Sequence, residues 1–177
     1  NSIAPTILSL TSEQEDAVAE IINYKDNFNG FLLHGVTGSG KTEVYLRVTE
    51  KLLEEGKQVL VLVPEIGLTP QMIDRFGKRV NGRVVAVHSQ LNETQKQDAY
   101  LMAKSGEAKV VLGTRSAIFT SLPNLGLIIV DEEHDGSFKQ QSNFRYSARD
   151  LSFIRAKLAN IPFCLLYTSD AADECDS

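Results

Sequence analysis

A glycine-rich stretch that ends in a lysine and a threonine carries the clearest chemical signal in this sequence. Residues 35–42 read Gly-Val-Thr-Gly-Ser-Gly-Lys-Thr and fit the pattern G-x-x-x-x-G-K-[ST]. The glycines would let backbone N–H groups turn inward around a phosphate chain, while Lys41 reaches the terminal phosphates and Thr42 binds Mg²⁺. The pattern favours a nucleotide site over the alternative, a tight glycine turn with an exposed lysine. The predicted phosphate-binding residues are Gly35, Thr37, Gly38, Ser39, Gly40, Lys41 and Thr42.

A pair of carboxylates follows an apolar segment further along the chain. Residues 127–130 are Leu-Ile-Ile-Val, and Asp131 and Glu132 come next. Ligands bind at the carboxyl ends of strands in open α/β sheets, so these acids would lie where a nucleotide binds. Asp131 suits Mg²⁺, and Glu132 suits orienting and activating the attacking water. With Lys41 they form the predicted catalytic set; the alternative for the pair is a solvated acidic turn.

Alternating strand and helix signals predict the scaffold for these residues. Apolar segments at 31–34, 58–63, 83–88, 109–113, 126–130 and 161–166 are strand-sized. Helix signals separate them, and this alternation indicates an α/β fold with a parallel sheet and helices on both faces.

Capping residues place the starts of several helices. Thr11 and Gln14 have the spacing of a capping box, as do Asn92 and Gln95. The pair Thr69-Pro70 is typical of an N-cap followed by the first helical position. One helix should run from about Thr42 to Glu55, and another should begin at Ser147. The last helix has an apolar face formed by Leu151, Ile154 and Leu158.

Composition limits the class of protein. The chain has 177 residues, is 42% hydrophobic and 23% charged, and carries a net charge of −5. These values favour one globular domain over disordered or fibrous proteins. No apolar run is long enough to span a membrane, and the two cysteines lack zinc or disulfide spacing, so we expect a cytoplasmic location. We predict one domain over residues 1–166 and a non-native or disordered acidic tail over 167–177.

Several ordered segments resemble one family of motor proteins. Asp131-Glu132-Glu133-His134 is similar to the DEAH-type box of superfamily 2 helicases. The phosphate loop with its following Glu-Val-Tyr, and the segments at 63–71, 113–119 and 139–141, resemble the PriA family of bacterial replication-restart helicases. The resemblance runs from about Leu10 to Ala159. It implies the first, RecA-like P-loop NTPase lobe of a 3′→5′ DNA helicase that uses ATP and Mg²⁺.

The resemblance also implies roles for particular residues. Gln14 matches the glutamine that contacts adenine, although its capping role is an alternative that can hold at the same time. Two loops match DNA-contacting segments of the family; the alternatives are an ordinary strand–helix connection and a surface turn with one arginine. Their residues are Glu65, Gly67 and Thr69 in the first loop and Thr114, Arg115 and Ser116 in the second.

An aromatic and basic segment follows the acidic box. In the family such a segment couples DNA binding to hydrolysis, and stacking on bases with neutralisation of phosphates is the chemistry it offers. The alternative is a loop whose aromatic rings pin it to the core. The residues concerned are His134, Phe138, Lys139, Phe144, Arg145 and Tyr146.

The resemblance predicts further parts and partners beyond this sequence. It implies a second lobe with an arginine finger, an N-terminal DNA-binding domain and a zinc module. The implied partners are single-stranded or forked DNA, single-stranded-DNA-binding proteins and primosome proteins. We expect this piece alone to bind nucleotide but hydrolyse it poorly. A P-loop kinase or transport ATPase, and a nucleic-acid-binding module with a vestigial nucleotide site, are the alternative functions.

Overall fold

The computed structural model describes residues 10–34, 38–81, 83–132 and 148–167. Its helices are α1 (Ser12–Asn23), α2 (Gly38–Glu54), α3 (Pro70–Arg79), α4 (Glu93–Ser105) and α5 (Asp150–Ala159). Its strands are β1 (Asn29–His34), β2 (Gln58–Leu62), β3 (Val84–Val87), β4 (Val110–Gly113), β5 (Leu125–Asp131) and β6 (Pro162–Tyr167). Short 3₁₀ turns occupy Glu65–Gly67 and Arg115–Phe119.

Capping residues start α1, α3 and α4 where the sequence predicts. The predicted start of the last helix at Ser147 lies outside the described residues, and α5 begins at Asp150. The Gln14 backbone N–H donates to Thr11 Oγ1 over 3.2 Å, and the Thr11 N–H donates to Gln14 Oε1 over 2.9 Å. Asn92 and Gln95 form the same reciprocal pair at the start of α4. These bonds satisfy N–H groups that the first turn of a helix leaves without partners.

The described strands form one sheet in the order β1-β6-β5-β2-β4-β3, and every neighbouring pair is parallel. The predicted parallel α/β fold is therefore confirmed. Because all six strands point the same way, the segments that follow them emerge at one edge of the sheet. The end of β1, which precedes the phosphate loop, lies at that edge. The end of β5, at Asp131, lies there too.

Helices cover both faces of the sheet, as predicted. Alternate residues of β2 divide between two cores: Val59 and Val61 face α1, α2 and α3, while Leu60 and Leu62 face α4 and α5. Continuous apolar strands are expected where both faces of a parallel sheet are buried. Helix α2 thus crosses one face over β2 and β5, which brings its first turn toward the end of β5.

Helix α5 buries a different face from the one its apolar spacing suggests. Leu151 and Ile154 are exposed, and Leu158 is 83% exposed, whereas Ser152 and Ala156 are fully buried. The predicted face of Leu151, Ile154 and Leu158 is therefore the exposed face of α5 rather than the one packed on the sheet. Small side chains allow the helix axis to approach the sheet closely, and here they decide the orientation.

Several strand boundaries differ from the sequence predictions by one or two residues, and two differences concern the phosphate loop and the tail. Helix α2 begins at Gly38 rather than near Thr42, so the last residues of the phosphate loop already belong to its first turn. Strand β6 extends through Tyr167, where the tail was predicted to start, and residues 168–177 lie outside the described residues. Within the described parts of the chain, no helix is long and apolar enough to cross a membrane.

Candidate nucleotide-binding site

The phosphate loop runs from the end of β1 into the first turn of α2. The backbone of Gly38, Ser39, Gly40, Lys41 and Thr42 is helical, while Gly35 and Thr37 lie outside the described residues. The first N–H groups of a helix have no partner within the helix and point along its axis. Together with the helix dipole they form a site for an anion, which is what the loop pattern predicts.

The hydroxyl of Tyr45 joins the phosphate-loop helix to the acidic end of β5. It is hydrogen-bonded to Thr42 Oγ1 over 3.3 Å and donates to Asp131 Oδ2 over 3.3 Å. Residues three apart on a helix share a face, so Thr42 and Tyr45 both face this edge of the sheet. The ring of Tyr45 stacks on Phe76 at a centroid distance of 5.7 Å, which holds the hydroxyl in place.

The environment of Tyr45 keeps its hydroxyl a neutral donor. Burial raises the pKa of Tyr45 well above its ordinary value, and the Asp131 carboxylate raises it further. A neutral phenol keeps its proton and can donate it to Asp131.

The side chains at this edge fit a hard divalent cation. Thr42 supplies a hydroxyl oxygen and Asp131 a carboxylate oxygen, and both lie within hydrogen-bonding distance of the same phenol. Mg²⁺ takes oxygen ligands, commonly one or two protein carboxylates or hydroxyls with phosphate and water completing the shell. Thr42 and Asp131 would hold the cation, directly or through water.

Glu132 is held by both its backbone and its side chain. Its N–H donates to the Leu166 carbonyl oxygen over 2.8 Å. Its carboxylate accepts from Arg149, with Nη2 2.9 Å from Oε2 and Nε 3.3 Å from Oε1. Asp131 is only 4% exposed and Glu132 7%, so the alternative of a solvated acidic turn is excluded.

Gln14 contacts the same loop from helix α1. A Cβ added at Gly40 would lie 2.8 Å from Gln14 Nε2, so the carboxamide packs directly against this glycine. The Gln14 Oε1 meanwhile accepts from the Thr11 N–H in the capping box. The capping alternative is therefore present, and the Nε2 end of the same side chain lies beside the phosphate loop.

Ion pairs of the buried Glu43 connect the phosphate-loop helix to α3. Its side chain is fully buried, with Arg47 Nε 2.8 Å, Arg79 Nη1 2.8 Å and Arg75 Nη2 3.6 Å from its oxygens. Burial raises the pKa of Glu43, but hydrogen bonds from Arg79 and Arg47 outweigh it and hold the pKa below its ordinary value. Glu43 is therefore a structural anion directly after Thr42.

The two loops predicted to contact DNA leave the same edge of the sheet. Glu65 is exposed and accepts from Ser89 Oγ over 3.0 Å, which links the ends of β2 and β3. Gly67 is buried, and Thr69 Oγ1 accepts from the Met72 N–H over 3.2 Å as the N-cap of α3. The ordinary capping role given as the alternative for Thr69 is thus present.

The second loop folds tightly back onto β4. Arg115 and Ser116 are exposed, but Thr114 is buried, so its side chain is not on the surface that DNA would meet. A Cβ at Gly113 would lie 2.2 Å from Ala117 Cβ, so glycine lets the turn pack this closely and a larger residue would force it to shift. His134, Phe138, Lys139, Phe144, Arg145 and Tyr146 lie outside the described residues.

A family model described as the res subunit of type III restriction enzymes (ResIII) matches residues 7–164. The chain belongs to this family. It is 52% identical over 154 residues to the replication restart protein PriA of Haemophilus influenzae, covering 87% of this chain and 21% of that protein. It is 47% identical over 161 residues to PriA of Bacillus subtilis, covering 89% and 20%. The predicted resemblance to PriA is confirmed, and the chain spans about a fifth of the length of these relatives.

Two solved structures share this fold. A structure of RecG bound to a three-way DNA junction matches with a TM-score of 0.64 and 24% identity, over 91% of this chain and 21% of that one. A hypothetical ATP-dependent RNA helicase from Sulfolobus tokodaii matches with a TM-score of 0.62 and 18% identity, over 92% and 47%. These matches confirm the RecA-like helicase fold of this ResIII chain.

Two residues at the site were not assigned a role from the sequence. Tyr45 was noted only as part of the resemblance, although its spacing from Thr42 places both on one helical face. Arg149 precedes a helix and carried no motif at all. Its partner Glu132 lies across the intervening residues 133–147, so no local pattern could have paired them.

Proposed function

We propose that this chain is the ATP-binding motor lobe of a replication-restart DNA helicase. The observation that carries the proposal is the Tyr45 hydroxyl, which brings Thr42 of the phosphate loop and Asp131 of the acidic box together. The identity to PriA supports replication restart as the process. The whole enzyme would couple ATP hydrolysis to 3′→5′ movement along DNA and to unwinding.

Each residue at the site has a defined part in hydrolysis. The amides from Gly35 to Gly40 and the Lys41 ammonium would bind the phosphates, and Gln14 would contact the adenine. Thr42 and Asp131 would hold Mg²⁺, which neutralises phosphate charge when bound. Glu132 would orient the attacking water and accept its proton.

DNA would bind across the neighbouring loops at the carboxyl edge. Exposed Arg115 and Ser116 offer a charge and a hydroxyl to the phosphodiester backbone. In the Glu65–Thr69 turn several backbone N–H groups already donate within the turn, so the Thr69 hydroxyl would be its donor to DNA. The aromatic and basic residues between 134 and 146 would stack on bases and couple binding to hydrolysis. The match to RecG on a three-way DNA junction supports forked DNA as a substrate, and we propose single-stranded DNA beside it.

The complete enzyme would contribute what this lobe lacks. A second lobe would close over the nucleotide and supply an arginine finger, a group worth about 10³–10⁵ in rate. We therefore expect the isolated chain to bind ATP, hydrolyse it slowly and unwind nothing. Zinc would bind in the zinc module that the resemblance implies outside this chain. Single-stranded-DNA-binding and primosome proteins would be the cytoplasmic partners.

The test compares ATP hydrolysis by a full-length PriA helicase carrying this lobe with and without forked DNA. Stimulation by DNA is expected, and Glu132→Gln should abolish turnover while preserving ATP binding. Turnover that DNA does not change would favour a P-loop kinase or transport ATPase. Unchanged DNA binding with no Mg²⁺-ATP binding in any variant would favour a vestigial nucleotide site.

A further inference from the structure

Arg149 reaches from the start of helix α5 to the buried carboxylate at the end of β5. Its Nη2 lies 2.9 Å from Glu132 Oε2 and 3.2 Å from Oε1, and its Nε lies 3.3 Å from Oε1. We propose that Arg149 is the positioning residue that orients the Glu132 carboxylate for water activation. The inference rests on the hydrolytic role of Glu132 in the proposed function.

The geometry of this pair suits orientation rather than simple charge compensation. A guanidinium is planar and presents its N–H groups as a rigid fork, so contact with both carboxylate oxygens fixes the plane of the carboxylate. The Glu132 backbone is already fixed by its bond to the Leu166 carbonyl oxygen. The arginine therefore restrains the side-chain torsions that the backbone bond leaves free.

Glu132 is far more buried than its partner Arg149, and this difference affects how strongly the ion pair holds the carboxylate. The side chain of Glu132 is 3% exposed and that of Arg149 is 43% exposed. Exposed ion pairs contribute little because water competes for both charges. Here the carboxylate is shielded from water, so water does not readily replace the guanidinium contact when it is lost.

Helix α5 provides a fixed base for Arg149. Ala148 and Ser152 on either side are fully buried against the sheet. Further along the helix, Arg155 donates from Nη1 to the Ile118 carbonyl and from Nη2 to the Thr120 carbonyl, both over 2.6 Å. The helix is thus anchored to the 3₁₀ turn after β4, and Arg149 projects from a rigid element.

A purely structural ion pair and a positioning residue predict different kinetics. If Arg149 only stabilised the fold, its loss would lower the melting temperature and leave kcat per folded molecule unchanged. If it positions Glu132, its loss lowers kcat while the KM for ATP stays the same, because Glu132 acts on water rather than on ATP binding. Small displacements of a reacting group cost about tenfold to a hundredfold in rate.

The experiment measures steady-state ATP hydrolysis by the full-length helicase carrying this lobe, with saturating forked DNA. Arg149→Gln should lower kcat about tenfold or more with KM within about twofold of the wild type. Arg149→Lys keeps the charge without the fork and should recover part of the loss. Lys157→Ala, a basic residue exposed on the same helix, is the matched control and should leave both constants unchanged.

Each outcome supports or overturns the positioning role of Arg149. A kcat that is unchanged per folded molecule, with folding checked by thermal melting, would overturn the proposal, as would equal losses in the Gln and Lys variants. A loss confined to KM would also overturn it. Lys41→Ala is included as a separate check: if it retains full turnover, the proposed function itself fails, whatever Arg149 does.

Discussion

The Tyr45 hydroxyl donates a hydrogen bond to Asp131 Oδ2 over 3.3 Å. This contact joins helix α2, which carries the phosphate loop, to the end of β5, which carries the acidic box. Because Tyr45 is also bonded to Thr42, the two oxygens expected to hold Mg²⁺ are positioned before any ligand binds. Preorganisation of this kind lowers the ordering cost of binding.

Replacing Tyr45 with phenylalanine should weaken Mg²⁺-ATP binding to this chain about three- to tenfold, since one net hydrogen bond contributes about 1 kcal/mol. The ring would keep its stacking on Phe76, so the fold should persist. Isothermal titration calorimetry measures the affinity. Tyr100→Phe on helix α4 is the control, and an equal effect in both variants would show that the Tyr45 hydroxyl has no part in the site.

Glu43→Gln should destabilise the chain by about 1.5–3 kcal/mol at pH 7, because buried Arg79 loses its charged hydrogen bonds to Glu43 and keeps only its pairing with Glu50 among the described residues. The Glu43 pKa is lowered from 4.5 in the folded protein, so its carboxylate stabilises the fold above that pH. Its contribution is lost as pH falls below 4.5 toward the lowered value. Urea unfolding of wild type and variant should therefore give a difference that is constant from pH 7 to pH 5.5 and shrinks in more acid solution.

Glu20→Gln on the exposed side of α1 is the control for that titration. Its stability should follow the wild type within about 0.5 kcal/mol throughout, as is usual for surface substitutions. A Glu43→Gln difference that stays constant down to pH 3 would contradict the assigned role of the buried carboxylate.

Gly113→Ala should destabilise the chain by about 1–3 kcal/mol, the usual cost of an overpacked site. Its new Cβ would lie 2.2 Å from Ala117 Cβ and 2.9 Å from the Val87 carbonyl oxygen. Gly77→Ala is the matched control, because no atom lies within 4 Å of the added Cβ and it lies within helix α3. That variant should be about 0.5–1 kcal/mol more stable, and chemical denaturation of the two variants should move in opposite directions.

Helix starts and the sheet could be predicted from local chemistry. Capping pairs such as Thr11 with Gln14 act within one turn, so the sequence alone determines them. The apolar segments that form β2, β4 and β5 are buried on both faces almost throughout, so their composition alone indicates strands, whereas β1 and β3 at the edges of the described sheet are only partly buried. Strand order could not be predicted, because it depends on which buried faces pack best over the whole sheet.

The motifs of the candidate site could be predicted from the sequence, but the hydrogen bonds that connect its residues could not. The phosphate loop and the acidic box were found separately, and the bond that joins them passes through Tyr45, a residue within no chemical motif. Arg149 was missed because its partner Glu132 is distant along the chain. The orientation of α5 was mistaken because apolar residues lie around most of the helix, and Ser152 and Ala156 decide it by their small size.

The most direct test of the account is Mg²⁺-dependent ATP binding by this chain, measured by calorimetry for the wild type, Lys41→Ala and Asp131→Asn. The wild type should bind ATP more tightly with Mg²⁺ than without it. Lys41→Ala should weaken binding at least about tenfold, as one charged phosphate contact is worth more than 1.4 kcal/mol, and Asp131→Asn should remove the Mg²⁺ dependence. Binding that neither substitution changes would contradict a triphosphate held between the phosphate loop and the end of β5.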